Sequence, residues 1–194
     1  MDAPVELIVG LGNPGSTYQR TRHNAGADFV LALANSLNVP IKQEGKFFGG
    51  TALVQIEGQT LRLLIPSTFM NLSGKSVAAI AHFYKVPTNR ILIAHDELDL
   101  SPGTARFKKG GGHGGHNGLR DTVQCLGNNK DFARLRIGIG HPGNAKQVAD
   151  YVLKKAPTKE QELINNSIDD AMRHLALAVT GQWERAMTAL HSAE

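Results

Sequence analysis

A largely apolar run that ends in a glycine-marked turn, followed by a helix-like segment, does most to limit how this 194-residue chain can fold. Residues 5–10 read as a buried strand, and Gly10-Leu11-Gly12-Asn13-Pro14-Gly15 breaks it. Residues 24–38 then carry Ala25, Phe29, Leu33 and Leu37 at helical spacing and stop before Pro40. The alternation continues. Strands are expected over 51–56 and 61–65, joined through Glu57-Gly58-Gln59-Thr60. A helix over 72–84 puts Val77, Ile80, Ala81 and Tyr84 on one face. A short strand over 90–94 ends at His95-Asp96-Glu97, and an alternating strand over 103–108 leads into a glycine loop over 109–115. A helix over 116–126, a strand over 134–140, a long helix over 158–179 and a last helix over 182–190 follow. Gln161 stands where a capping box opened by Thr158 would need it. The pattern predicts an α/β fold: a single domain over 1–194, with a mixed twisted sheet and helices on both faces. In such sheets the site lies beyond the carboxyl ends of the strands. Asn13, Pro66-Ser67 and Asp96 all follow strand ends, so these three clusters are expected to meet at one edge.

A chain of this length buries roughly 70% of its unfolded surface and needs no covalent staple. Its one cysteine, Cys125, allows neither an internal disulfide nor a cysteine-rich zinc site. Cys125 is expected inside an apolar helical stripe, and no G-x-S-x-G elbow is present, which argues against covalent catalysis. No basic region precedes the first apolar run and no apolar stretch is long enough to cross a bilayer, so a soluble cytoplasmic protein is expected. The net charge of +4 fits either plain solubility or an anionic partner such as nucleic acid.

Gly10 to Gly15 satisfies the spacing G-x-G-x-x-G. A dinucleotide site would also need a helix starting on those glycines and an acidic residue ending a second strand. Pro14-Gly15-Ser16-Thr17 reads instead as an irregular loop, so the turn is expected to present the Asn13 amide to a ligand. His23 lies in a polar segment just before a helix, and imidazole exchanges protons near neutral pH. A catalytic ring needs an acceptor on its second nitrogen. Asp96 is the expected acceptor, with Glu97 and Asp99 facing solvent.

In Pro66 to Ser76, Asn71 offers a second amide or a helix cap, as Ser67 does, while Phe69 and Met70 offer an apolar wall. Lys108 to Gly118 holds six glycines whose backbone amides could wrap an anion. His113 and His116 raise a zinc reading, but zinc wants three or four ligands with acidic or thiolate partners, and no second histidine cluster with such spacing exists. Asn117 is a third amide at a helix start. Arg106 with Lys108, and Arg134 with Arg136, share strand faces and would form a basic patch if the strands are neighbours. The chemistry left is a histidine-activated water attacking an ester or carbonyl. A non-catalytic RNA-binding module and a metal-dependent amidohydrolase or peptidase are the alternatives.

Together these stretches resemble the bacterial peptidyl-tRNA hydrolases, over residues 10 to about 152. The motifs are Gly-Leu-Gly-Asn-Pro-Gly with Thr-Arg-His-Asn-Ala-Gly, then 66–76, then 96–118. The resemblance implies cleavage of the ester between a peptide and the terminal ribose of tRNA by a cytoplasmic monomer that recycles tRNA, with no required metal or other cofactor. It implies His23 as general base, Asp96 as its partner, and Asn13 as the group that tells blocked from free aminoacyl ends. Asn71 and Asn117 would bind the peptide and the tRNA end, and Tyr18 and Phe69 would line the path of the tRNA terminus. Met70 would lie at the substrate site, Lys108 and Arg136 would clamp the 5′ phosphate, and the helices over 158–190 would border the cleft.

Overall fold

The computed structural model describes residues 2–191. A seven-stranded sheet in the order β2-β3-β4-β1-β5-β7-β6 runs through it. The strands are β1 (Leu7–Gly10), β2 (Lys42–Glu44), β3 (Gly49–Ile56), β4 (Gln59–Pro66), β5 (Ile91–Glu97), β6 (Ala105–Lys109) and β7 (Ala133–Gly138). The α-helices among the described residues are α1 (Ala25–Ser36), α2 (Ser73–Phe83), α3 (Asn117–Cys125), α4 (Val148–Val152), α5 (Thr158–Val179) and α6 (Trp183–His191). The pairings of β1 with β4, β1 with β5 and β5 with β7 are parallel, whereas β2–β3, β3–β4 and β6–β7 are antiparallel. The sheet is therefore mixed, as its sequence pattern requires.

Side chains alternate across a strand. Leu92 and Ala94 of β5 therefore pack with α1, α5 and α6, while Ile91 and Ile93 pack with α2 and α3. Both faces of the central strands are dry, and each fully buried Leu or Ile contributes about 1.5–3 kcal/mol. Because β1, β4, β5 and β7 share a direction, the segments after them gather at one edge. There Asn13 Oδ1 accepts from Met70 N at 2.7 Å, and His23 meets Asp96.

The glycines in the first motif let α1 lie directly on the sheet. A Cβ on Gly10 would stand 2.4 Å from the Gly26 carbonyl oxygen, and one on Gly26 only 2.1 Å from the Ala94 oxygen. Only a side chain of zero size lets the two backbones approach this closely, and the approach sets His23 beside the end of β5. No helix starts on Gly10 to Gly15: a short 3-10 turn, Ser16–Tyr18, follows instead.

Several local expectations are corrected. The β3–β4 hairpin closes through only two residues, because Ile56 pairs with Gln59. Glu57 and Gly58 take φ of 50° and 77°, as a turn matched to strand twist requires. Pro157, not Thr158, precedes the first turn of α5, and the Gln161 amide donates to Asn165 Oδ1 at 2.9 Å rather than closing a capping box. Neither Ser67 nor Asn71 caps α2: the residue before it is Leu72, and Ser67 Oγ donates to Gln43 Oε1 at 2.7 Å. Cys125 is exposed, with Sγ 3.8 Å from Asp121 Oδ2. Burial and the Asp121 charge push its thiol pKa up, so it remains a poor nucleophile. Strand β2 and helix α4 were not anticipated.

Gly26→Ala is expected to lower stability by at least the ~1–3 kcal/mol typical of overpacking, because backbone atoms stand in the way. Denaturant melts measure it, and wild-type stability would contradict the close-approach argument.

Candidate active site

His23 occupies a 3-10 turn, Arg22–Asn24, that leads into α1. Its Nδ1 lies 2.8 Å from Asp96 Oδ2, and both residues are buried. The other carboxylate oxygen, Oδ1, lies 2.7 Å from His116 Nε2. His116 is the residue that caps α3: its Nδ1 accepts from the backbone N–H groups of Gly118 and Leu119, at 3.1 and 3.3 Å. That nitrogen must carry a lone pair, so the proton of the neutral ring sits on Nε2 and is donated to Asp96. Asp96 thus accepts one N–H from each histidine. His23 in turn is fixed as the Nδ1–H tautomer, which leaves the Nε2 lone pair for a substrate proton.

The electrostatics follow. Burial alone pulls the His23 pKa down, but the Asp96 carboxylate and its hydrogen bond more than offset that, leaving it above 6.5. Burial would raise the pKa of Asp96; the two imidazoles and their hydrogen bonds reverse this and hold it far below the usual carboxylate range. His95, whose ring lies 5.3 Å from that of His116, donates from Nδ1 to the Asp96 carbonyl at 2.8 Å. Burial first and His116 second push its pKa down to about 4, so it stays neutral.

A cavity of about 490 Å³ opens on this array, and among its walls are His23, Asp96, His116, Asn117, Lys108 and Arg136. The antiparallel register sets Arg106 opposite Arg136 and Lys108 opposite Arg134, so the four basic residues do share neighbouring strands. They are not equivalent. Arg134 is buried and donates to the carbonyls of Gly111 and Gly112, which ties down the glycine loop. Arg136 Nε donates to Glu97 Oε1 at 2.9 Å. Glu97 is therefore half-buried and paired rather than solvent-facing.

Asn13 lines a neighbouring concavity of about 730 Å³, shared with Pro66, Ser67 and Asp28. Its backbone is clamped by the Asn24 side chain, at 2.8 Å through N and 3.0 Å through O. With Oδ1 held by Met70 N, its Nδ2 is the group left to present. Asn117 is oriented in the same sense, since its Oδ1 accepts from Arg120 at 3.0 Å. Tyr18 and Phe69 meet edge to face at 6.2 Å, and Phe69 is exposed. Met70 is buried against Gly118, so it braces the site rather than forming an open wall. Asn71 is exposed in the turn Met70–Leu72.

Two roles escape the sequence: His116, weighed there only as a zinc ligand beside His113, is the second partner of Asp96 and the cap of α3, and Arg22 is given no role. The cue for His116 is a histidine directly before a helix that starts on Asn-Gly. Potential ligand atoms of His23, Asp96 and His116 lie within 4.8 Å of one another. Protons already bridge both of these contacts. A cation on His116 Nε2 would move the ring proton to Nδ1, against the helix N–H groups. The donor set therefore fits a hydrogen-bonded array better than a resident metal.

At the carboxyl edge of the mixed sheet, the buried Asp96 orients an imidazole for proton exchange beside presented amides, which is the equipment of acid–base chemistry. The family model for peptidyl-tRNA hydrolase matches residues 7–194, and the chain belongs to that family. It is 59% identical to the peptidyl-tRNA hydrolase of Teredinibacter turnerae over 193 residues, covering 100% of both chains. To that of Saccharophagus degradans it is 58% identical over 191 residues, covering 98% of this chain and 97% of the relative. The crystal structure of the Acinetobacter baumannii peptidyl-tRNA hydrolase superposes with a TM-score of 0.93 at 52% identity, covering 96% of this chain and 94% of that one. The protein is accordingly a hydrolase.

Only the neutral His23 ring can accept a proton. The rate kcat/KM is therefore expected to rise with pH through a pKa above 6.5 and then level off. In Asp96→Asn, His116 keeps its Nε2–H and takes the amide oxygen, so the amide NH₂ faces His23 and selects its Nε2–H tautomer. Activity should fall by about 10²–10⁴-fold with the fold intact. A pH–rate profile with a limb at or below 6.5, or an active Asp96→Asn, would contradict the assignment.

Proposed function

We propose that the chain hydrolyses the ester joining a peptide to the terminal ribose of tRNA, through a water activated by His23. The observation that carries this reading is the His23 ring, held through Nδ1 at 2.8 Å by Asp96 in the wall of a cavity. His23 Nε2 takes a proton from water as the oxygen attacks the acyl carbon. The tetrahedral intermediate collapses, the ribose oxygen leaves, and the imidazolium returns the proton to it. The products are a peptide acid and tRNA with a free hydroxyl. Asp96 steadies the imidazolium without taking its proton.

Asn13, Asn71 and Asn117 bind the substrate and the oxyanion through amide donors, which match a carbonyl without introducing charge. Asn13 favours an amide-linked residue over a free α-amine, so blocked ends are cleaved and aminoacyl ends spared. Tyr18 and Phe69 flank the tRNA terminus, and Met70 supports that floor. Lys108 and Arg136 hold the 5′ phosphate, with Glu97 as the counter-charge that the phosphate displaces. Helices α5 and α6 border the cleft in this reading, and the Glu160 contact to Arg22 brings the start of α5 next to the segment that carries His23. No helix among the described residues is long and apolar enough to cross a membrane. The expected setting is the cytoplasm, where a monomer without an obligate protein partner recycles tRNA from abandoned translation.

His23→Ala should lower tRNA release from a purified peptidyl-tRNA by about 10²–10⁴-fold while tRNA binding persists. A chelator should leave wild-type turnover unchanged, and loss of activity restored by zinc would favour a metal enzyme instead. Full activity in His23→Ala would remove the base from the mechanism. Lys108→Ala and Arg136→Ala should each weaken binding and flatten its salt dependence, by about one unit of log–log slope per lost phosphate contact. An unchanged slope would reject the clamp.

A further inference from the structure

The residue before the base makes contacts that the proposed chemistry does not use. Arg22 is buried, at 8% exposure, and its side chain points away from the reacting atoms toward the segment that walls the cavity. Its Nη1 donates to the Tyr151 carbonyl at 2.9 Å. The guanidinium carbon sits 3.8 Å over the centre of the ring of that same tyrosine. Nη2 lies 3.6 Å from Glu160 at the start of α5. The Arg22 backbone N–H donates to the Lys154 carbonyl at 3.1 Å, and Thr21 forms an isolated antiparallel bridge with Lys155. Tyr151 is itself bolted to the end of β7, because its hydroxyl donates to the Ile139 carbonyl at 2.6 Å. It belongs to α4, whose Val148, Ala149 and Val152 line the cavity.

From this arrangement we infer that Arg22 is a positioning residue, which couples the place of His23 to the seating of α4 against the cavity. A guanidinium taken out of water is expensive, and an apolar chain of similar length would fill the same space without that penalty. What an apolar chain cannot do is donate to the Tyr151 carbonyl, lie over that residue's ring and face the Glu160 carboxylate at once, which a planar fork can. All three partners lie on the 151–160 segment, while the backbone atoms one bond along carry the base. A shift of α4 would move Arg22, and with it the ring of His23 relative to Asp96. A substrate that seats α4 against the cavity therefore also sets the base. This inference rests on His23 being the base, as proposed above.

The test is Arg22→Met, alone and combined with Asp96→Asn, in the full chain acting on peptidyl-tRNA. Arg22→Met should lower kcat by about ten- to a hundredfold, as a misplacement of up to an ångström does. The acid limb of its pH–rate profile should move down toward 6.5 as His23 loses its hold on Asp96. Loss of a nearby positive charge alone would move that limb up, so the direction separates alignment from charge. In the Asp96→Asn background the same substitution should cost less than about threefold, since the pairing it protects is already gone. Full multiplicative loss in that background, or a limb that stays put or moves up, overturns the inference. If Arg22→Met does not fold, Arg22→Lys, which keeps the charge and loses the planar fork, carries the test with a smaller loss and the same downward limb. An unmoved limb there overturns it equally. Retained turnover in His23→Ala would instead reject the base itself, whereas an inactive His23→Ala with a normal limb in Arg22→Met rejects only the coupling.

Discussion

A buried carboxylate holding two imidazole N–H groups is the contact on which the site depends. Asp96 is almost fully enclosed, and an enclosed carboxylate without donors would be strongly destabilising. Here one oxygen takes His23 at 2.8 Å and the other takes His116 at 2.7 Å. Each ring proton is accounted for by what lies behind it. The start of α3 holds His116 to one tautomer, and the shared carboxylate then holds His23 to the tautomer a base needs. Removing any member leaves a buried polar group unmatched, at a cost of about 1–3 kcal/mol or more for a charged group. The constraint that orients the chemistry therefore also ties β5, α1 and α3 together.

The backbone makes that contact possible. Gly26 allows α1 to rest on β5 with no space for a Cβ, and the preceding turn delivers His23 to the end of the strand. On the other side the glycine loop crosses from β6 to α3 and delivers His116, with Arg134 gripping two of its carbonyls. Fixed polar groups surround the His23 ring, so the proposed base has little to reorganise when charge develops on a substrate.

Much of this was legible in the chain. Helical spacing through Phe29 and Leu33 and the apolar runs of β1 and β5 mark buried elements, because both faces of the central strands are dry. β2 left no such mark: Lys42, Gln43 and Glu44 form an exposed edge strand with no apolar alternation, and charged residues suit an unpaired edge. His23 and Asp96 were readable as partners because each follows a strand or precedes a helix at the same sheet edge. His116 was not, because its role depends on a tertiary contact across the cavity and histidine is not a usual helix cap. Glu97 was assigned to solvent for want of its partner, Arg136, which lies 39 residues away on a neighbouring strand. Cys125 shows the limit of periodicity: three residues after Thr122, which is fully buried, it sits near the end of α3 and is exposed.

The most direct measurement is the protonation state of each ring nitrogen of His23, read from long-range ¹H–¹⁵N correlations at a pH where the ring is neutral. A proton on Nδ1 and a bare Nε2 are expected, with His116 in the opposite tautomer. Finding the His23 proton on Nε2, or rapid exchange between the two nitrogens, would contradict it.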